Sequence, residues 1–117
     1  MAAGYSELFL EQGASFNTSI TLDDVSGAAF NLVGYSASSQ MRKSYYSSNA
    51  AATFTVSTGT NPEYGTITIT LDSDSTANVY PGRYLYDVYL TNTNGRVRVL
   101  EGIVNVTPQV TKTSGML

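Results

Sequence analysis

Two carboxylate groups lead the residues that could do chemistry. Asp72-Ser73-Asp74 and, elsewhere, Asp23-Asp24 carry oxygens of the kind a calcium ion takes. The spaced ligand run and terminal glutamate of an EF-hand loop are missing, so these residues read first as a helix cap and a turn. Asp87 and Glu101 form the second group, each in the middle of a strand-like run, LYDVY and RVRVLEGIV. On neighbouring antiparallel strands they would face each other and one pKa would rise. With Arg83, Arg96 and Arg98 in reach of the same hairpin, a cation for each carboxylate is the expected arrangement.

Gln40-Met41-Arg42-Lys43-Ser44-Tyr45-Tyr46 joins two cations to two aromatics. Such a combination can hold single-stranded nucleic acid by stacking and charge. It equally describes a protein-contact patch, because Tyr and Arg are favoured at interfaces. A net charge of −3 favours the contact patch and gives no general attraction to nucleic acid or an anionic membrane. There are nine tyrosines and no tryptophan. Exposed Tyr and Asn on a β surface can bind sugars, but Tyr84, Tyr86 and Tyr89 stand where strand residues must be.

The chain has no cysteine and no histidine. Disulfides, thiolate catalysis, Cys-ligated metals and the commonest general base are thereby removed. No nucleophile elbow, phosphate loop or metal constellation is present. The expectation is a chain that is not an enzyme, with no catalytic, metal or cofactor-binding residues and no cofactor. The first residues, MAAGYSELFLEQG, hold neither a basic region nor an apolar run of signal-peptide length, so Sec-type export is not expected.

The elements that must position these residues are strands. Charged residues are only 13% of the chain, against a typical value of about 25%. Ser, Thr, Asn and Gly replace them, a composition that suits strands and turns. Tyr5–Leu10, Ala14–Leu22, Tyr35–Lys43, Thr53–Ser57 and Gly65–Leu71 alternate or are rich in β formers. Ser44–Ala51 reads as a loop, and 72–79 as the one short helix, which survives only by packing. From Pro81 to Thr107 run two long strands, with Tyr84, Tyr86, Val88 and Leu90 on one face and Asn94-Gly95 as the hairpin turn. Val97 and Val99 occupy odd positions whereas Leu100, Val104 and Val106 occupy even ones. One regular strand cannot bury both sets, so a β-bulge or sheet switch is expected between Val99 and Gly102, with Gly102 allowing close approach. The count predicts an all-β fold: a single antiparallel β-sandwich of about seven strands, Ig-like, over residues 1–107, followed by a tail over 108–117.

The order of these pieces resembles a known family. LFLEQGASFNTSITL is followed by DDVSG, FNLVGYSASSQMRKSYYS, GTITITL and YPGRYLYDVYLTNTNGRVRVLEGIVNVTPQVT. This is similar to small β-sandwich virion proteins of tailed phages, especially phages of marine cyanobacteria, from Leu8 to Thr111. The resemblance rests on the EQG start, on Leu32, Gly34, Tyr35, Gln40 and Arg42, and on the PGRYxYDV…LEGxVxVTP ending. It implies a structural protein of the virion, in capsid decoration or in the neck, tail or baseplate, present in many copies and bound to other virion proteins. It carries over no catalytic or metal-binding residue. The residues expected to touch partners are Arg42, Lys43, Tyr45 and Tyr46 in the loop region, and Val110, Met116 and Leu117 in the tail. An exposed sheet edge and the chain termini are the other expected contact surfaces.

Overall fold

Alternating burial runs along the strands, as the residue pattern requires. The computed structural model describes residues 4–23 and 27–110. Its strands are β1 (Gly4–Tyr5), β2 (Leu8–Glu11), β3 (Phe16–Thr21), β4 (Ser36–Arg42), β5 (Ala52–Ser57), β6 (Thr66–Leu71), β7 (Gly82–Asn92) and β8 (Gly95–Thr107). A 3-10 turn covers Pro62–Tyr64, and one short helix, α1, covers Ser73–Ala77. The chain is therefore all-β.

Neighbouring strands follow the path β1-β8-β7-β4-β5-β6-β3, with β2 also on β8. The strand β5 turns the path. Its first half, Ala52–Phe54, pairs with β4, and its second half, Thr55–Ser57, pairs with β6. Between the two halves of the path lies the core. Met41, Ile67, Ile69, Val88, Leu90, Leu10 and Val104 are all fully buried there. Phe54 joins the two sides, its ring 6.0 Å from Phe16 and 6.3 Å from Tyr86.

The long hairpin contains the expected bulge. Val88 stands opposite Leu100 and Tyr89 opposite Arg98, which leaves Val99 unpaired. The extra residue switches the parity of β8, so Val99, Leu100, Val104 and Val106 are all buried. Gly102 provides the close approach. A Cβ there would run into the Ser6 carbonyl oxygen and the Tyr86 ring.

Three expectations need correction. The arrangement is not wholly antiparallel: β1 and β2 both run parallel to β8. Alternation reports which face a residue takes and not the direction of its partner strand. The first strand is also not continuous. It is interrupted at Ser6-Glu7, where Ser6 N–H donates to the Glu101 carbonyl at 3.0 Å and the Ser6 carbonyl accepts from the Tyr86 hydroxyl at 2.6 Å. Finally, Asn94-Gly95 is not the central pair of the turn. Asn92 pairs with Gly95, and Thr93-Asn94 form the loop. Among the described residues no non-glycine has positive φ, so the primed turn is absent. The Asn92 side chain accepts from the Asn94 N–H at 2.9 Å instead, and Gly95 takes φ 142°.

The helix lies where expected. Asp72 caps it, Oδ1 accepting from the Ser75 N–H at 2.7 Å. Hydrogen bonds from Ser75, its hydroxyl first and then its backbone N–H, hold the Asp72 carboxyl below its usual range. Ala77 and Val79 are buried at one end of the core. What the sequence pattern did not reveal is the buried Gln12, which ties this end together. Its Nε2 donates to the carbonyls of Val79 at 3.1 Å and Ala77 at 3.4 Å, and its Oε1 accepts from the Gln109 N–H at 3.3 Å. The buried Thr76 hydroxyl accepts from the Gly13 N–H at 3.1 Å and donates to the Ala14 carbonyl at 2.8 Å. Gln109, inside the tail expected from residue 108 onward, is thus held.

Candidate functional site

The outer face of β4, β7 and β8 carries a polar groove. In a strand whose even positions fill the core, the odd ones must face away. Leu85, Asp87 and Tyr89 of β7 do so, half-buried because β4 and β8 flank them. Register then fixes their neighbours. Asp87 lies between Gln40 of β4 and Glu101 of β8, and Tyr89 lies between Ser38 and Arg98. Two adjoining hollows of about 430 and 220 Å³ share Gln40, Asp87, Tyr89 and Arg96 as lining. Thr53 and Thr55 close one end, and Arg42 and Tyr45 close the other.

Charge in the groove is unevenly matched. The Arg96 guanidinium lies over the Tyr89 ring, 3.8 Å from its centroid. Arg98 pairs loosely with Glu101 at 3.8 Å. Arg42 donates to the Gln40 side chain at 2.8 Å and to the Ser47 carbonyl at 3.2 Å. Among the described residues Asp87 has no ion pair within 4.0 Å and no hydrogen bond to its carboxylate. Desolvation by burial pushes its pKa up, against the pull of Arg98, Arg96 and Arg42 and with the push of Glu101. The carboxylate pair considered from sequence is thus real in register, while only Glu101 meets a cation. Asp87 is a half-buried carboxylate at the floor of an open groove, a costly placement of the kind found at binding sites.

Of the expected partner contacts, the structure brings Arg42 and Tyr45 to this groove. Tyr45 is 73% exposed at its rim. Tyr46, at 97%, stands clear of the surface on the same loop. Lys43 is engaged internally: its Nζ donates to the Arg83 carbonyl at 3.1 Å and sits 4.8 Å from the Tyr84 ring centroid. Val110 is 96% exposed beside the Gln12–Gln109 corner, far in sequence from the groove. Met116 and Leu117 lie outside the described residues. Asp87, Tyr89 and Arg96 were not singled out as contacts. The signal was available in the odd positions of β7, but Arg96 joins them only through the cross-strand register. Among the described residues no group of three metal-ligating side chains converges.

No protein-family model matches the chain, and no curated protein sequence does. Solved structures give loose likenesses. The crystal structure of Listeria monocytogenes InlP aligns over 90% of this chain at 16% identity and TM-score 0.47, and the chain spans 28% of that protein's length. Murine CRIg aligns over 88% of this chain and 92% of its own, at 14% identity and TM-score 0.38. Likenesses this loose assign neither a family nor a function.

Proposed function

We propose that the chain is a non-enzymatic structural protein of a tailed-phage virion, an Ig-like sandwich that binds other virion proteins. It acts in capsid decoration or in the neck, tail or baseplate. The observation that carries the reading is the ordered set of motifs from Leu8 to Thr111, several of whose described residues make contacts that hold the molecule together. Gln12 of EQG joins the helix end to Gln109, just past β8. Gly102 of LEG admits the Ser6 backbone. Tyr84 of PGRYxYDV donates to the Tyr80 carbonyl at 2.7 Å, a corner of the kind found in Ig-like sandwiches. A surface of Ser, Thr, Asn and Tyr with few charges suits lasting contact with neighbouring proteins, and repetition in a lattice multiplies weak contacts. Mass spectrometry of purified particles and their partial disassemblies tests the assignment. The chain should appear in a defined subassembly, and its absence from the particle overturns the reading.

The groove favours a second reading, a carbohydrate-binding module for host-surface glycans. Asp87 offers a free acceptor for sugar hydroxyls, Arg96 and Gln40 offer donors, and Tyr45 offers an aromatic surface at the rim. Glycan-array binding that is lost in Asp87→Asn and Tyr45→Ala would establish it. Loss in Tyr46→Ala alone would move the site to the loop tip. No binding to any host glycan would remove the reading.

A further inference from the structure

The groove over β4, β7 and β8 holds two opposite charges that do not meet. Asp87 and Arg96 line both of its hollows, yet no ion pair joins them within 4.0 Å. Cross-strand register explains the gap. Asp87 stands opposite Glu101, whereas Arg96 stands opposite Thr91, four residues further along β7. The Arg96 side chain reaches back over the Tyr89 ring, 3.8 Å from its centroid, and the ring contact holds the guanidinium short of the carboxylate.

The neighbouring cations are committed elsewhere. Arg42 donates to the Gln40 side chain and the Ser47 carbonyl, and Arg98 pairs with Glu101. The Arg96 guanidinium makes no hydrogen bond or ion pair among the described residues, so its donors are open to a ligand. So are the oxygens of the half-buried Asp87 carboxylate. Gln40 adds a directed donor: its Oε1 accepts from Arg42 at 2.8 Å, which leaves Nε2 to donate within the groove.

These groups state what a ligand must carry. An unpaired guanidinium calls for a planar anion that it can meet with two parallel hydrogen bonds. An unpaired carboxylate calls for donors and repels that same anion. Anion and donors must therefore sit at separate places on one molecule. Among the lining residues Arg42 and Arg96 stand against Asp87 alone, an excess of positive charge on a chain of −3. That excess favours uncharged hydroxyls over an ammonium group as the donors for Asp87. The larger hollow, about 430 Å³, lies within the ~300–1,000 Å³ range of small-ligand sites. Tyr45 at the rim offers its face to a sugar ring.

We propose that the groove binds an acidic glycan, a sugar unit whose carboxylate pairs with Arg96 while its hydroxyls donate to Asp87. Gln40 Nε2 donates to a sugar oxygen between them. The inference rests on the glycan reading of this groove and narrows it to sugars that carry a carboxylate.

Calorimetric titration of the full chain tests it, with short oligomers of galacturonate, glucuronate and mannuronate and with the methyl ester of each. An ester keeps every ring hydroxyl and loses only the charge. At least one acid should bind about tenfold or more tightly than its ester, the worth of a charge-assisted pair. Arg96→Gln should remove that preference. Arg83→Gln, the same charge change at an exposed position of β7 outside the hollows, should leave it unaltered. Asp87→Ala should weaken acid and ester alike by about tenfold, with an unchanged thermal melt at neutral pH. Succinate, which has carboxylates and no hydroxyls, should respond to Asp87→Ala in the opposite direction, because the substitution removes a like charge. Equal binding of acids and esters, or binding of esters alone, overturns the inference and keeps the glycan reading. Binding of none of them overturns the inference, and an empty glycan array then removes the reading as well. An acid preference that survives Arg96→Gln overturns it too. So does acid binding strengthened by Asp87→Ala, which would make the groove a site for plain anions.

Discussion

The edge formed by β1 and β2 is short, broken and pinned, whereas the edge formed by β3 is six uncharged residues with an open side. On the first, the interruption at Ser6-Glu7 removes any long run of free backbone groups. Tyr86 and Glu101 hold Ser6 in place, and Glu7 and Glu11 bring charge to the rim. The Glu7 carboxylate also takes the Asn105 amide. Such features keep an edge from adding strands. On the second edge, hydroxyl pairs with β6 stabilise the outer face, and no other described strand pairs with the backbone. The contrast teaches that one side of this fold is closed by a break, charge and side-chain bonds, whereas β3 has a single neighbour among the described strands.

Substitutions can break or sharpen the contrast. The largest effect should come from Gly102→Val, which drives a side chain into the Ser6 carbonyl and the Tyr86 ring. Overpacking against backbone at a buried site costs roughly 3 kcal/mol or more. Urea denaturation should show the loss, and hydrogen exchange should show β1 and β2 released, turning the closed edge into a second open one. Gln12→Ala comes next. It removes three hydrogen bonds at the corner between β2 and β3 and leaves two carbonyls and an N–H without that partner. A cost of roughly 2 kcal/mol is expected from chemical denaturation.

Tyr86→Phe is milder. It leaves the Ser6 carbonyl without its hydroxyl donor, for roughly 1 kcal/mol, and should raise exchange at the amides of β2 more than elsewhere. Burial, against the opposing hydrogen bond to Ser6, pushes the Tyr86 pKa from 10.0 up to about 12. The folded state holds this proton more tightly than the unfolded one. Its contribution is therefore complete below pH 10 and is lost as pH rises toward about 12. In Tyr86→Phe that alkaline decline should flatten.

Asp87→Asn, away from both edges, should have the smallest effect and the opposite sign. Burial raises the Asp87 pKa, so the folded state prefers the protonated form. Stability from this group is present below its ordinary value of 3.8 and declines as pH rises through the folded value. Removing the carboxylate should leave neutral-pH stability unchanged or slightly higher and weaken that decline, as thermal melts across acid and neutral pH would show. A variant clearly less stable at neutral pH would mean that Asp87 is held by a contact and is not free for a ligand.

Much of the fold was legible because apolar residues repeat every second position. Phe16, Thr18 and Ile20, then Ala37, Ser39 and Met41, then Ile67, Ile69 and Leu71, and finally Tyr84, Tyr86, Val88 and Leu90 all turn inward. The parity change in β8 was legible for the same reason and placed the bulge at the start of its expected interval. The site was legible only in part. Arg42 and Tyr45 stood out as a cation and an aromatic in a loop region. Asp87, Tyr89 and Arg96 become one groove only when β4, β7 and β8 lie side by side.

The sequence by itself determined the faces of the strands, a short helix near 72–79 with Asp72 or Ser73 as its cap, a bulge or sheet switch between Val99 and Gly102, and a close approach at Gly102. Each follows from local chemistry or from a period of two, which a linear chain displays directly. Tertiary structure alone decided that β1 and β2 run parallel to β8, that Gln12 joins Val79 to Gln109, and that, among the described residues, Asp87 has no ion pair within 4.0 Å and β3 has one neighbouring strand. Those features depend on which strand lies beside which, across separations of up to nearly the whole chain, and periodicity carries no information about a neighbour's identity or direction.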